Sequence, residues 1–70
     1  MKEIKLSDGR VIKMRSPKVR DIRAIDKIEG ESEKEITLIS NLTGLSIAEL
    51  DDLDLKEYKK LQDALAGFLS

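Results

Sequence analysis

Residues 43–58, Thr43-Gly44-Leu45-Ser46-Ile47-Ala48-Glu49-Leu50-Asp51-Asp52-Leu53-Asp54-Leu55-Lys56-Glu57-Tyr58, decide how this 70-residue chain folds. Gly44 is a natural left-handed stop for a preceding helix, because glycine carries no Cβ to collide with the turn. Ser46-Ile47-Ala48-Glu49 is a capping box: the serine oxygen can take one free N–H of a new helix while the glutamate reaches back to the serine N–H. Asp54-Leu55-Lys56-Glu57 repeats the pattern with aspartate as the cap. The stretch therefore ends one helix, holds a short helix over 46–51, and opens a last helix over 54–68.

A helix, a glycine turn and a second helix are also the grammar of a DNA-reading motif, whose second helix enters the major groove. Here that element would carry Glu49 and Asp51, with Asp52 and Asp54 directly behind. A phosphate backbone repels these carboxylates, and residues 46–51 offer no Arg, Lys, Asn or Gln to read a base edge. The stretch reads better as a hinge that folds the last helix back over its neighbours. A small DNA-binding or regulatory protein of a mobile element remains the alternative, with the basic segment 17–28 as its only plausible backbone contact. Asp51-Asp52-Leu53-Asp54 is no calcium loop either. Counted from Asp52, the position that needs a sharp glycine turn is Glu57.

On the last helix, Leu55, Tyr58, Leu61, Leu65 and Phe68 recur at steps of three or four, an amphipathic stripe. Tyr58 and Phe68 are the sole aromatics, too few and too far apart for a base-stacking platform. Upstream, Ser32 with Glu35 predicts the start of a helix over 32–43, whose buried side is Ile36, Leu38, Ile39 and Leu42. Before it, Ser16-Pro17 predicts a helix over 17–28. Serine suits the cap, and proline suits the first turn, where its missing N–H costs nothing. Val19, Ile22, Ile25 and Ile28 form its apolar side, and Lys18, Arg20, Arg23 and Lys27 lie off it.

The first fourteen residues alternate differently. Ile4, Leu6, Ile12 and Met14 share parity, the period-two signature of strands. A two-residue Asp8-Gly9 turn would scatter them over both faces. A three-residue loop, Ser7-Asp8-Gly9, pairs Ile4 with Ile12 and Lys2 with Met14 and keeps all four on one face, with Gly9 left-handed. A lone hairpin is barely stable in water, so this face must rest on the helices. The expected fold is α+β: an N-terminal β-hairpin (about 2–14) packed on a small helical bundle (about 17–28, 32–43, 46–51 and 54–68), one domain over 1–70.

Composition narrows the function. With no cysteine and no histidine, disulfides, the standard zinc sites, a thiol nucleophile and an imidazole proton shuttle are all excluded. No enzyme, cofactor or metal is expected. A chain this short buries only about 60% of its unfolded surface, which favours support from partners or copies of itself. Met1-Lys2-Glu3-Ile4-Lys5 has no apolar run of the secretory kind, no stretch is long enough to span a membrane, and the expected compartment is the cytoplasm. Outside the secretory route the sequon Asn41-Leu42-Thr43 has no consequence. The net charge of −1 conceals two halves: residues 1–28 hold nine Lys/Arg against four Asp/Glu, and residues 29–70 hold four against ten. Opposite halves attract, within one chain or head to tail between copies; the basic half also offers a face to an acidic partner.

The order of these pieces resembles the small tail assembly chaperones of Mu-like and P2-like contractile-tailed phages and prophages. The resemblance rests on the hairpin leading into Ser16-Pro17-Lys18-Val19-Arg20-Asp21-Ile22-Arg23-Ala24-Ile25-Asp26, on Ile36-Thr37-Leu38-Ile39-Ser40-Asn41-Leu42-Thr43-Gly44-Leu45-Ser46, and on Glu49 to Gln62 with the terminal Phe68-Leu69. It implies a non-enzymatic protein that binds the phage tape measure protein, keeping it soluble and extended until the tail tube polymerises around it. It further implies partnership with copies of itself or with a longer frameshifted form, and neither nucleic acid nor membrane as a ligand. Helix-in-groove binding is the mode such a helical client would use. Candidate contacts are the flanks of the first and last helical stripes: Val19, Ile22, Ile25, Tyr58, Leu61, Leu65, Phe68 and Leu69.

Overall fold

A computed structural model describes residues 1–70. A two-stranded antiparallel hairpin, β1 (Lys2–Lys5) and β2 (Val11–Met14), is followed by α1 (Val19–Ile25), α2 (Glu31–Thr43), α3 (Ile47–Asp51) and α4 (Leu55–Leu69). The α+β architecture is as expected. The register pairs Lys2 with Met14 and Ile4 with Ile12. The loop closes through Leu6 N–H to the Arg10 carbonyl at 2.8 Å and Gly9 N–H to the Leu6 carbonyl at 3.0 Å, with Gly9 at φ 93°. Asp8 accepts from Arg10 N–H at 3.0 Å and from its Nε at 2.7 Å, which holds the Asp8 carboxyl below its usual range.

The apolar face so made, Ile4, Leu6, Ile12 and Met14, is buried. It meets Leu38, Ile39 and Leu42 of α2 and Leu61 and Leu65 of α4, with Ile25 and Leu50 completing the core. Met14, Ile39 and Leu61 lie at its centre, fully enclosed. Polar ties fix the hairpin on the helices. Arg15 N–H donates to the Leu42 carbonyl at 3.1 Å. Lys2 Nζ donates to the Ala64 carbonyl at 3.0 Å and sits 4.6 Å from the centre of the Phe68 ring.

Two helix starts and one cap differ from expectation, and in each case a side chain is engaged elsewhere. The first helix begins at Val19, not at Pro17 after a Ser16 cap, and ends at Ile25 rather than Ile28. Its cap position is Lys18, whose N–H is taken by Asp21 from within the helix at 2.7 Å. Asp21 also receives both terminal nitrogens of Arg15, at 2.8 and 2.7 Å. At the other end Asp26 N–H closes on Arg23 and Ile28 N–H on Ile25, tight turns that stop the helix while Ile28 still packs on the core. The second helix starts at Glu31 behind Gly30, at φ 91°, so Ser32 is helical and caps nothing. Glu35, freed from a capping box, accepts from Tyr58 OH at 3.1 Å and Gln62 Nε2 at 2.8 Å. The last helix does start behind Asp54, but the Asp54 carboxylate makes no cap bond. Glu57 turns instead to the hairpin loop, accepting from Ser7 N–H at 3.0 Å and from the Ser7 hydroxyl, with Lys60 beside it at 3.4 Å. Leu55, placed on the buried stripe by its spacing, is 86% exposed.

The hinge itself forms as read. Gly44 is left-handed, with φ 80° and its N–H on the Ser40 carbonyl. Ser46 and Glu49 close their reciprocal box at 3.0 Å each way.

Candidate functional site

The eight candidate contacts separate into two classes. Ile25, Leu61 and Leu65 belong to the core and cannot reach a partner in the folded chain; the amphipathic spacing that marks them serves packing. Tyr58 and Phe68 are half-buried against that core. Val19, Ile22 and Leu69 stand in solvent, at 77%, 43% and 56% exposure. Val19 and Ile22 share α1, and Leu69 closes α4.

The structure adds a feature that spacing did not reveal. Where α3 meets the beginnings of α2 and α4, a cleft of about 430 Å³ opens between the three helices. Ile36, Ile47, Leu50, Leu53, Leu55 and Tyr58 give it an apolar floor and wall. Ile47 and Leu55 each follow directly on a helix cap, at Ser46 and Asp54. The chain has just turned at both places, so these side chains are left beside the joint rather than in the core. Two caps eight residues apart, each followed by an aliphatic residue, were the available signal.

The cleft is acidic. Glu33, Glu35 and Asp51 line it, and no Lys or Arg does. Glu35 is committed to Tyr58 and Gln62, which ties α2 to α4 across the floor. Burial, together with the Glu35 carboxylate beside it, pushes the Tyr58 hydroxyl well above the usual phenol range. Glu33 and Asp51 enter no ion pair. On α1 the balance is opposite: exposed Val19 and Ile22 are set among exposed Arg20, Arg23 and Lys27, none of them ion-paired.

No three His, Cys, Asp or Glu side chains gather where a metal could be held. Every buried side-chain polar atom has a partner. The strongest polar constellation, Arg15–Asp21–Lys18, is a clamp: the Arg15 guanidinium first and the Lys18 N–H second hold the Asp21 carboxyl far below its usual range. No helix is long and apolar enough to cross a membrane.

What remains is a charged surface carrying separate aliphatic patches on a hairpin-and-helix frame. The sequence from Glu3 to Ser70 matches the family described as phage tail assembly chaperone proteins, E, or 41 or 14. The chain belongs to this family. Its role is therefore in phage tail assembly. No curated protein and no solved structure gives a match. In this tail assembly chaperone the family pattern spans both strands and all four helices, so the cleft and the α1 patch both lie within it.

Proposed function

We propose that the chaperone binds the tape measure protein during tail morphogenesis and does so without catalysis. Membership of the tail assembly chaperone family over residues 3–70 carries this reading. The physical support is the surface. A long helical client exposes an apolar stripe until the tube encloses it, and such stripes drive aggregation. A holdase needs aliphatic side chains that stay in solvent on a scaffold charged enough to keep the complex soluble. This chain is 39% charged and leaves Val19, Ile22, Ile47, Leu55 and Leu69 outside its core. Helices docked in grooves are read by apolar anchors at successive turns, which patches of this size can supply. The setting is the host cytoplasm, where tails are assembled.

Co-expression with the tape measure protein of the same phage tests the reading. The client should become soluble and co-purify with the chaperone, and Leu69→Glu, at a position 56% exposed, should weaken capture while leaving the chaperone folded. A client that stays insoluble, or is soluble and unbound, would refute it.

A further inference from the structure

We propose that the cleft between α2, α3 and α4 is the client's binding site, and that it takes a helical segment bearing an aliphatic side chain with a lysine or arginine three or four residues away, the cation settling on Glu35. The identity of the occupant rests on the client reading; the chemistry of the contact rests on the cleft. Its apolar part is graded. Leu50 closes the floor from the core, Ile36, Leu53 and Tyr58 are half-buried, and Ile47 and Leu55 stand exposed beside them. The space between them, about 430 Å³, lies within the range of clefts that hold a ligand group, about 300–1,000 Å³. A leucine or isoleucine side chain seated there would remove from water the apolar surface that the fold leaves wet.

The polar part is Glu35, which also lines the cleft. Tyr58 OH and Gln62 Nε2 both donate to the same oxygen, Oε1. Oε2 receives nothing from the chain, and since no buried polar atom lacks a partner, this oxygen is open to solvent. Two donors from α4 hold the carboxylate in place, so binding immobilises little that is not already fixed. Glu33 and Asp51 add negative charge without ionic partners, and no Lys or Arg lines the cleft. A fixed carboxylate beside aliphatic surface favours a cation carried on an aliphatic stem: the methylenes lie on the apolar wall while the head group reaches Oε2. Residues three or four apart share one face of a helix, so an aliphatic side chain and a cation can enter together. An acidic helix would be repelled. The contact buries well below the roughly 1,200 Å² of stable complexes, so it is weak and salt-sensitive.

Fluorescence anisotropy with labelled helical peptides of about 20 residues reads the contact on the full chain. The probe carries leucine and arginine four residues apart at successive turns. One twin has glutamate for each arginine, and another has serine for each leucine. The probe should bind, and both twins should bind roughly tenfold or more weakly. Glu35→Gln keeps an oxygen for Tyr58 and Gln62 and puts an amide nitrogen, a donor, where the open oxygen stood. It should weaken the probe roughly tenfold or more while the melting temperature holds. Leu55→Lys, at a position already in solvent, should do the same without touching the hydrogen bonds of Glu35. A probe bound no better than its twins, or no weaker by the variants, would overturn the proposal. Co-expression with the tape measure protein separates it from the client reading. Capture by wild type that both variants lose supports the cleft as the client's site. Capture that both variants retain in full would overturn the cleft and leave the client reading standing. Probe binding with no capture by wild type would refute the client reading and, with it, the identity of the occupant. Variants that alter only the sedimenting mass of the chain alone, and not capture, would mean that another copy fills the cleft, which also overturns the proposal.

Discussion

Replacing Gly44 tests whether the hinge after α2 is held by backbone conformation. Gly44 has φ 80° and ψ 1°, and a Cβ built on it would have no atom within 4 Å. A substitution there meets open space, so its cost comes from the left-handed backbone alone. For a residue with a Cβ that cost is about 1–2 kcal/mol. The stiffer unfolded chain returns about 0.4–1 kcal/mol. Alanine should therefore lose between nothing and about 1.6 kcal/mol in net terms, and valine more, since β-branched residues are rare outliers at positive φ. Asparagine tolerates the region and should lose least. In a domain of this size 1 kcal/mol moves the melting temperature by roughly 4–8 °C. Thermal unfolding followed by circular dichroism should rank the melts Gly, Asn, Ala, Val, with valine at least about 5 °C below wild type. Equal melting of all four would mean that the turn rearranges freely.

Three further outcomes follow from the packing and the polar clamps. Leu61→Ala, at a fully enclosed position, should cost about 2–5 kcal/mol, much of the stability of so small a domain; a urea melt showing less than ~1 kcal/mol would mean that the core is loosely filled. Asp21 holds its carboxyl below the usual range in the folded chain, so its stabilisation is complete above about pH 4, where an unfolded aspartate is ionised, and is lost as pH falls from there. Asp8, Glu49 and Glu57 act in the same direction, so an acid titration of wild type against Asp21→Asn should show a flatter acid limb in the variant, and identical limbs would contradict the clamp. The Tyr58 hydroxyl is shifted the other way, so its contribution is present below about pH 10 and lost above it. Ultraviolet titration should show no phenolate at pH 10 in the folded protein, and normal ionisation there would mean that the Tyr58–Glu35 contact is open.

Local chemistry made much of the fold legible. The hairpin register could be read because only a three-residue loop puts Ile4, Leu6, Ile12 and Met14 on one face, and a single-residue slip would turn that face to water. The Gly44 stop and the Ser46–Glu49 box were legible because each is closed by residues within a few positions of one another. The failures share one cause. Glu35 and Glu57 were available to local caps, and each was claimed by a partner that the sequence alone could not place beside it, Tyr58 with Gln62 and Ser7, while Asp21 keeps a local bond to Lys18 N–H and holds Arg15 as well. A carboxylate bonded across the fold brings the same hydrogen bonds as a cap and ties two elements together as well, so the tertiary partner prevails.

The candidate site divides along the same line. Amphipathic spacing shows which side of a helix is apolar, but the core and a partner ask for the same residues. Only the assembled structure could assign Leu61 and Leu65 to the interior and leave Val19 and Ile22 outside. The cleft exists only once α2, α3 and α4 meet: spacing put Leu55 on a buried stripe and left Ile47 on none, and neither assignment pointed to a shared cleft. The sequence by itself determined the elements, the hinge, the opposed charges of the two halves and the family pattern, because these depend on neighbours along the chain. The tertiary structure alone decided which carboxylates clamp, which aliphatic side chains remain in water and where a concave surface forms, because these depend on neighbours in space.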